Sequence, residues 1–600
     1  MNPSLKHILT ILVICGATLF WNLGSAKLWD RDEPRNAGCA AEMLAANNWA
    51  IPIFNDELRH QKPVLLYWLM MSAYSVFGQN EFAARFWSAL LGTGSCLLTY
   101  AIGRRMFDAS VGWLAAIILA TNVMFCVAAR AATPDSVLIF CCTVAYWFYV
   151  RAVFRNGEVI DGAFPKKAIQ WVPFYLALGL AVLAKGPIGY LIPMAVVGLF
   201  MLIERNSNQS DGSGAKCRRH WIGCFSPVHF LKTLWSMKFL VGTVFAFFVA
   251  FPWYDAVDTQ TRGLFTRLFF LNENFARAST AMEGHGGGLW FYPLAILAGF
   301  FPWSVFVGPT IASWWSRSSS SAAQRSAVTF LICWVAVQVT TFSLCSTKLP
   351  SYVTPCYSAL ALLTSFSLIT FVRSEQRFSA QRYWYMAAMI ALLISGVGMV
   401  IGFWLGAQKY LPNLTWLALL GLIPVVGATC GLWLLRRPSK SHFVGVVVVC
   451  GVVLCWLVFG IGTVVVSDQR QTDAIFERIA QYPCEAVGAW RCMEPSWVVY
   501  GERPIYELEK LSSFDYPSPA SIGDDVRYLR SKKSWELKSR PVVSTFLLAF
   551  PDALMITTDE HLDSLTSELP ARYKVLEQVD RFLKPDQSLI LLGPVEPLTE

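Results

Sequence analysis

The sequence predicts a mainly α fold, a polytopic transmembrane bundle of about thirteen helical spans ending in a small α/β domain. Three observations predict it. Hydrophobic residues make up 55% of the 600 and charged residues only 15%, with a mean hydropathy of +0.45. A water-soluble domain has no use for that much apolar sequence. The apolar residues fall into runs of about 15–25 separated by polar loops, the length that crosses a hydrocarbon core as a helix. Beyond Ser467 the composition becomes that of ordinary soluble protein.

The net charge of +9 lies largely in short loops, where Lys and Arg set topology, so it does not imply nucleic acid. Aromatic residues at 14%, with 24 Trp, suit belts at both interfaces. Most of the 16 Cys sit singly in apolar runs and act as small hydrophobes. Cys484 and Cys492, in the polar tail, are the candidate disulfide. Cys217, His220, Cys224 and His229 share a basic loop, but not at zinc-site spacing.

The first span is Ile8–Leu23, preceded by Lys6 and His7. Gly24-Ser25-Ala26 has the small residues of a signal-peptidase site. A retained anchor is expected instead, because the charged stretch behind it needs a fixed position against the bilayer. That stretch, 28–80, packs Asp30, Arg31, Asp32, Glu33 and Arg35 into six positions. Such a cluster is expensive beside hydrocarbon and reads as a functional site. Pro63–Phe77 is apolar but too short to span, and is expected to lie in the interface. Further spans follow at about 83–103, 110–127, 136–154, 170–184, 187–203, 239–254, 290–313, 327–345, 352–372, 384–406, 413–435 and 443–467. Lys185-Gly186-Pro187 divides two of them at a sharp turn.

Alternate loops contain Arg104-Arg105, Arg151 to Lys167, Arg205 to Lys238, Arg317 to Arg325, Arg373 to Arg382 and Arg436-Arg437. Their excess of basic residues assigns them to the cytoplasm. The opposite loops hold Asp32 and its neighbours, Arg130 to Asp135, Lys185, Arg262 to His285 and Lys348-Leu349-Pro350. The chemistry is therefore expected outside. Residues 1–467 would form the membrane domain, with 28–80 as its outer loop, and 468–600 a soluble α/β domain on the same side. In that tail β-like runs occur at Trp497–Tyr500, Val542–Phe546, Ala553–Thr557 and Leu589–Leu592, with a helix-like stretch at Leu562–Leu569. It carries no P-loop and no GxGxxG.

Asp32-Glu33 is a candidate general base, since a carboxylate near the interface can take the proton of a sugar hydroxyl. A solvated pair bridging Arg31 and Arg35 would use the same residues. Lys62, after Gln61, either snorkels to headgroups or holds a lipid phosphate. In Arg130-Ala-Ala-Thr-Pro-Asp135, Thr133 suits a helix cap, Pro134 a first turn and Asp135 the positive end of the helix dipole. That motif has a structural explanation as well as a catalytic one. Lys62, Lys185 and Lys348 with Arg130, Arg262, Arg267 and Arg277 would form a rim that attracts a diphosphate or phospholipid. His285, in the glycine-rich stretch after Glu283, is a candidate phosphate donor or metal ligand.

Taken together, DEPRN at 32–36, QKPVLLYWL at 61–69, NEFAARFWSAL at 80–90, RAATPDSVL at 130–138, LAKGP at 183–187 and STKLPSYVTP at 346–355 resemble the polytopic glycosyltransferases of the GT-C superfamily. The nearest branch is that of the lipid A aminoarabinose transferases and protein O-mannosyltransferases, and the resemblance covers most of the chain up to about residue 370. It implies a GT-C fold and a sugar donor on a polyprenyl phosphate. Transfer would go with inversion to a hydroxyl of a lipid, protein or glycan outside a bacterial inner membrane. It also implies that Asp32 is the catalytic carboxylate, Asp135 a second acid and Lys62 the phosphate holder. Glu33, Arg35, Gln61, Arg130, Lys185, His285, Lys348 and Tyr352 would complete substrate binding. There is one departure: the aminoarabinose branch carries Glu where this chain has Gln61. If that Glu helps hold a divalent metal, His60 or Glu57 would have to replace it here, so a metal cofactor is left open. Two other classes compete. A transporter or lipid flippase would place charges near the midplane on broken helices, whereas charges within these spans are scarce. A scaffold presenting 468–600 would have no need of Asp32.

Overall fold

The computed structural model describes residues 3–595, apart from 30–31, 56, 156, 161–162, 166, 211–225, 280–285, 316–321, 375–379, 438–439, 502 and 509–541. Among the described residues ten helices are long and apolar enough to cross a membrane: Pro3–Phe20, Glu81–Met106, Pro134–Val153, Ala168–Lys185, Phe239–Gln260, Gln324–Leu344, Pro350–Arg373, Gln381–Tyr410, Pro412–Leu435 and Lys440–Ser467. Two more apolar helix pairs bend sharply at a break. Ala109–Ala120 and Val123–Arg130 meet at 69°, Phe291–Gly299 and Trp303–Trp314 at 115°. Asn122 makes the first break, because its side-chain oxygen caps the following helix through Phe125 N at 3.0 Å. Pro302, which has no amide to donate, stands at the second. With Ile188–Ser210, these helices account for every apolar segment read from the sequence. Leu65–Phe77 is a 13-residue apolar helix, too short to cross.

The 26-residue helix Glu81–Met106 is about 39 Å long at 1.5 Å per residue, and it separates two unlike ends. At its far end Arg105 donates to the carbonyls of Phe154 and Arg151, Arg373 pairs with Asp108 at 2.6 Å, and Lys440 Nζ donates to Ser374 O at 2.7 Å. Four basic loops thus gather there. At its near end Arg85 meets Glu33, next to Asp32.

The C-terminal sheet has the strand order 505–508, 487–490, 554–558, 588–594, 573–580. Its first three strands are parallel and its last two pairings antiparallel. Ala553–Thr557 and Leu589–Leu592 fall in strands and Leu562–Thr566 is helical, as their patterns predict. Two β-like runs are helices instead, Pro495–Tyr500 and Val543–Ala549. Pro495 starts the first at a position where its missing amide costs nothing. In the second, Val543, Phe546 and Ala549 repeat every three residues and are all buried, so packing overrides β propensity. Cys484 and Cys492 are both free. The strand Val487–Trp490 lies between them and alone spans about 10 Å, past the ~7 Å Cα limit for a disulfide.

This sheet unit rests against the charged stretch. Asn55 exchanges two hydrogen bonds with the backbone of Ile505, at 2.6 and 3.1 Å. Tyr500 OH accepts from Leu28 N at 2.8 Å and donates to Glu81 at 3.0 Å. The Arg470 guanidinium lies between the rings of Trp29 and Phe582, at 5.3 and 5.0 Å, and donates to Leu28 O. Residues 28–29 are therefore fixed from the sheet side, a few residues before Asp32.

Candidate active site

Asp32 and Glu33 open the helix Asp32–Ala45, where the positive end of the helix dipole favours carboxylates. About 100° of helical rotation per residue sends them in different directions. Glu33 points inward and is buried. Its two oxygens accept from Arg85 Nε and Nη2 at 2.8 and 2.9 Å and from the amides of Trp29 and Ala132 at 2.7 and 2.8 Å. Arg85 donates further to the carbonyls of Leu23, Ala26 and Lys27. Burial opposes the charge on Glu33, but Arg85 and the two amides outweigh it and hold its pKa below the ordinary value. Read from sequence as a substrate ligand, Glu33 fastens three chain segments together through these bonds.

Asp32 keeps about half its side chain exposed, 3.9 Å from Arg59 Nη2. Arg59 is buried and held by Asn36 Oδ1 at 2.8 Å and Tyr67 OH at 3.0 Å, while Asn36 donates to Ala132 O. Partial burial resists ionisation of Asp32. Lys62, Arg59, Arg35 and Lys185 prevail over it and lower the carboxyl below its usual range. The same environment acts on Lys62: burial pulls its pKa below the ordinary lysine value, although Asp32 supports the charge.

The second acid and second lysine come from two helix ends. Thr133 and Pro134 begin the helix Pro134–Val153, which sets Asp135 in its first turn. Lys185 closes the helix Val172–Lys185, at the negative end of its dipole. Their Nζ and Oδ1 lie 2.5 Å apart. Gly186 turns the chain there with φ of 79°, and a side chain at this position would meet Phe269 at 2.7 Å. The turn requires glycine on both counts.

These residues line two cavities. One, of about 150 Å³, is bordered by Gln61, Lys62, Lys185, Arg277 and Tyr352 and walled by Leu138, Phe269 and Phe342. The other, of about 400 Å³, receives Asp32 and Asp135 beside Trp29 and Met124. Ser351 borders both. Both lysines border the smaller cavity together with Glu273, and Glu33, Arg85 and Arg130 join Asp32 and Asp135 at the larger. Lys185 also lies 5.2 Å from the Tyr352 ring centroid.

The remaining expected site residues divide. Arg35 is half-buried and contributes to the field at Asp32. Arg130 borders the larger cavity but gives its guanidinium to the carbonyls of Thr18, Trp21, Asn22 and Phe459, so it clamps the first helix. Arg262 and Arg267 are exposed and border neither cavity. His285 lies outside the described residues, as do Cys217, His220 and Cys224. Lys348 is buried, donates at 2.8 Å to the carbonyls of both Ser343 and Cys345, and so caps the helix ending at Leu344. Lys348→Met is expected to lower thermal stability by about 1.5–3 kcal/mol while leaving donor KM unchanged. A raised KM at unchanged melting temperature would return Lys348 to the donor pocket.

Arg59 and Arg85 were not singled out from sequence. A charge inside a span was the available signal for Arg85, and it sits within the quoted NEFAARFWSAL. Among the described residues, the side chains expected to replace the Glu absent at Gln61 do not converge on an ion site. His60 Nε2 is 3.7 Å from Glu273 Oε1, yet Glu273 is bound to Arg277 at 2.8 Å and Glu57 is exposed on a hairpin. Among the described residues no three His, Cys, Asp or Glu side chains could share an ion.

The profile of the family described as dolichyl-phosphate-mannose-protein mannosyltransferase matches residues 61–228. An uncharacterized protein of Aquifex aeolicus is 28% identical over 365 residues, 60% of this chain and 64% of that one. Undecaprenyl phosphate-alpha-4-amino-4-deoxy-L-arabinose arabinosyl transferase 2 of Pseudomonas fluorescens is 29% identical over 361 residues, 59% of this chain and 58% of its own. The chain thus spans less than two thirds of these relatives. The crystal structure of ArnT from Cupriavidus metallidurans bound to undecaprenyl phosphate superposes with a TM-score of 0.72 at 19% identity, covering 98% of this chain and 97% of that one. Its apo state gives 0.70 at 20% identity. The fold is the GT-C fold of an integral membrane protein, and the likeness read from the motifs holds.

Proposed function

We propose that this chain is a membrane glycosyltransferase that moves a sugar from a polyprenyl phosphate to an acceptor hydroxyl, with Asp32 as general base. The observation that carries the reading is the meeting of lysines and carboxylates from distant segments at two adjoining cavities. Lys62, Lys185 and Arg277 face the smaller cavity, and Asp32 and Asp135 face the larger. A lipid phosphate would take the cationic side, its chain lying along Leu138, Phe269 and Phe342. The acceptor would enter from the carboxylate side.

The reaction then follows from position. The acceptor oxygen attacks the anomeric carbon from the face opposite the phosphate and gives its proton to Asp32. The bond from that carbon to the phosphate oxygen breaks, and the phosphate leaves with the electron pair. Attack and departure from opposite faces invert the centre. Lys62 and Arg277 meet the charge that grows on the leaving phosphate, which is where a preformed field lowers the barrier. Asp135 keeps Lys185 charged and aimed. Low proton affinity at Asp32 keeps it ionised in the empty site. A bound phosphate offsets the lysines and raises that affinity when the base is needed.

The names of the relatives favour undecaprenyl phosphate as carrier and 4-amino-4-deoxy-L-arabinose as sugar, and the motif resemblance favours a lipid-borne glycan such as lipid A as acceptor. The basic loops at the opposite end support a bacterial inner membrane with the site on the periplasmic side. The test offers the purified protein in nanodiscs a panel of polyprenyl-phosphate sugars and reads product by mass spectrometry. Turnover with none of them, across lipid, protein and glycan acceptors, would end the proposal. Lys62→Met is expected to raise donor KM about 10- to 100-fold through loss of a charge-assisted contact. An unchanged KM would remove Lys62 from the phosphate site.

A further inference from the structure

A third cavity shares no lining residue with the two at this site. The helices Leu422–Leu435 and Lys440–Leu457 leave between them a groove of about 920 Å³. Val426, Cys430, Gly445 and Val449 line it, and Ser441 and His442 stand at one end. Val426 and Val449 are 58% and 60% exposed, and a side chain at Gly445 would meet nothing within 4 Å. The groove is therefore open along its length to whatever surrounds the span. Hydrocarbon surrounds it in a bilayer.

Charge selects among the occupants. The groove ends at the turn that joins its two helices, and that turn carries Arg436 and Arg437, both exposed. No carboxylate among the described residues pairs with either. Arg437 stacks on Trp433 at 4.7 Å, which holds its guanidinium flat at the level of the helix end. Lys440 Nζ, bonded to the carbonyls of Phe371 and Ser374, adds charge beside them. Two protein helices packed face to face would leave this cluster desolvated with no counterion. A zwitterionic lipid would fill the groove but leave the cluster half-answered. A basic pocket at the end of an apolar interhelical groove matches an acidic headgroup on acyl chains.

We infer that the groove between the helices Leu422–Leu435 and Lys440–Leu457 binds one anionic phospholipid, its acyl chains along Val426 and Val449 and its phosphate on Arg436 and Arg437. Cys430 gives a direct readout. It is the one exposed cysteine among the described residues, and it lines the groove.

The full chain is stripped of lipid in detergent and returned to nanodiscs of phosphatidylcholine alone or with phosphatidylglycerol. N-ethylmaleimide labelling of the Cys430 peptide is then followed by mass spectrometry. Phosphatidylglycerol is expected to slow labelling about tenfold, since a site held at ten times its Kd is open about a tenth of the time. R436Q/R437Q should remove the difference between the two lipids. Gly445→Leu, whose Cβ would meet nothing within 4 Å and whose side chain would occupy the groove, should abolish retention of phosphatidylglycerol in native mass spectra. Equal labelling in the two lipids would overturn the inference, as would a Cys430–Cys430 crosslink on oxidation that survives phosphatidylglycerol. The first outcome makes the groove a generic lipid contact, the second an interface between two copies.

Discussion

Asp32→Asn is expected to lower kcat by about 10²- to 10⁴-fold, the usual worth of a positioned general base, with donor KM little changed. The amide keeps the size and position of the side chain, so the helix that starts at residue 32 remains in place. Asn cannot take the acceptor's proton. Lysine and arginine neighbours hold the free-enzyme pKa of Asp32 below its ordinary value of 3.8. The acid limb of kcat/KM is therefore expected below that pH, where protonation finally removes the base. In the donor complex the phosphate offsets Lys62, so the acid limb of kcat should lie at higher pH. Two pH profiles from one preparation decide this. An Asp32→Asn variant with wild-type turnover would remove the general base.

Glu33→Ala is expected to cost about 3–5 kcal/mol of stability, because it strands the buried Arg85 guanidinium without its counterion. The double variant Glu33→Met with Arg85→Met should recover much of that loss, since no unpaired charge then remains. Thermal unfolding in detergent measures both. The pair also has a pH signature. The folded-state pKa of Glu33 lies below its ordinary 4.5, so its contribution is complete above about that pH and is lost as pH falls through the folded value. Below it, Glu33→Ala and the parent should converge in melting temperature. A single variant as stable as the parent at neutral pH would show that the pair bears no structural load.

Asp32 and Glu33 show why one motif can be found in a sequence and still be half-read. Both stand in DEPRN, and both carry the same group. Which one stays half-exposed and which is locked in an ion pair depends on the rotation of a helix whose start is fixed by Arg85, 52 positions past Glu33, and by Leu28 held on Tyr500. Lys348 repeats the lesson. Its charge in an outer loop suggested a phosphate ligand, but two carbonyls at the end of the preceding helix claim it first. In the tail, Val543–Ala549 reads as a strand until the sheet it covers is known.

Sequence alone determined the membrane class, the positions of the apolar segments and the loops that hold Asp32, Lys62, Asp135 and Lys185. Run length and charge alternation are local properties, written within twenty or so neighbouring residues. Only the tertiary structure decided which apolar segments bend, which carboxylate is bolted to Arg85, and that Lys62 and Lys185 meet one cavity while Asp32 and Asp135 meet the next. Each of those outcomes is set by partners far away in the chain, whose direction no local pattern encodes.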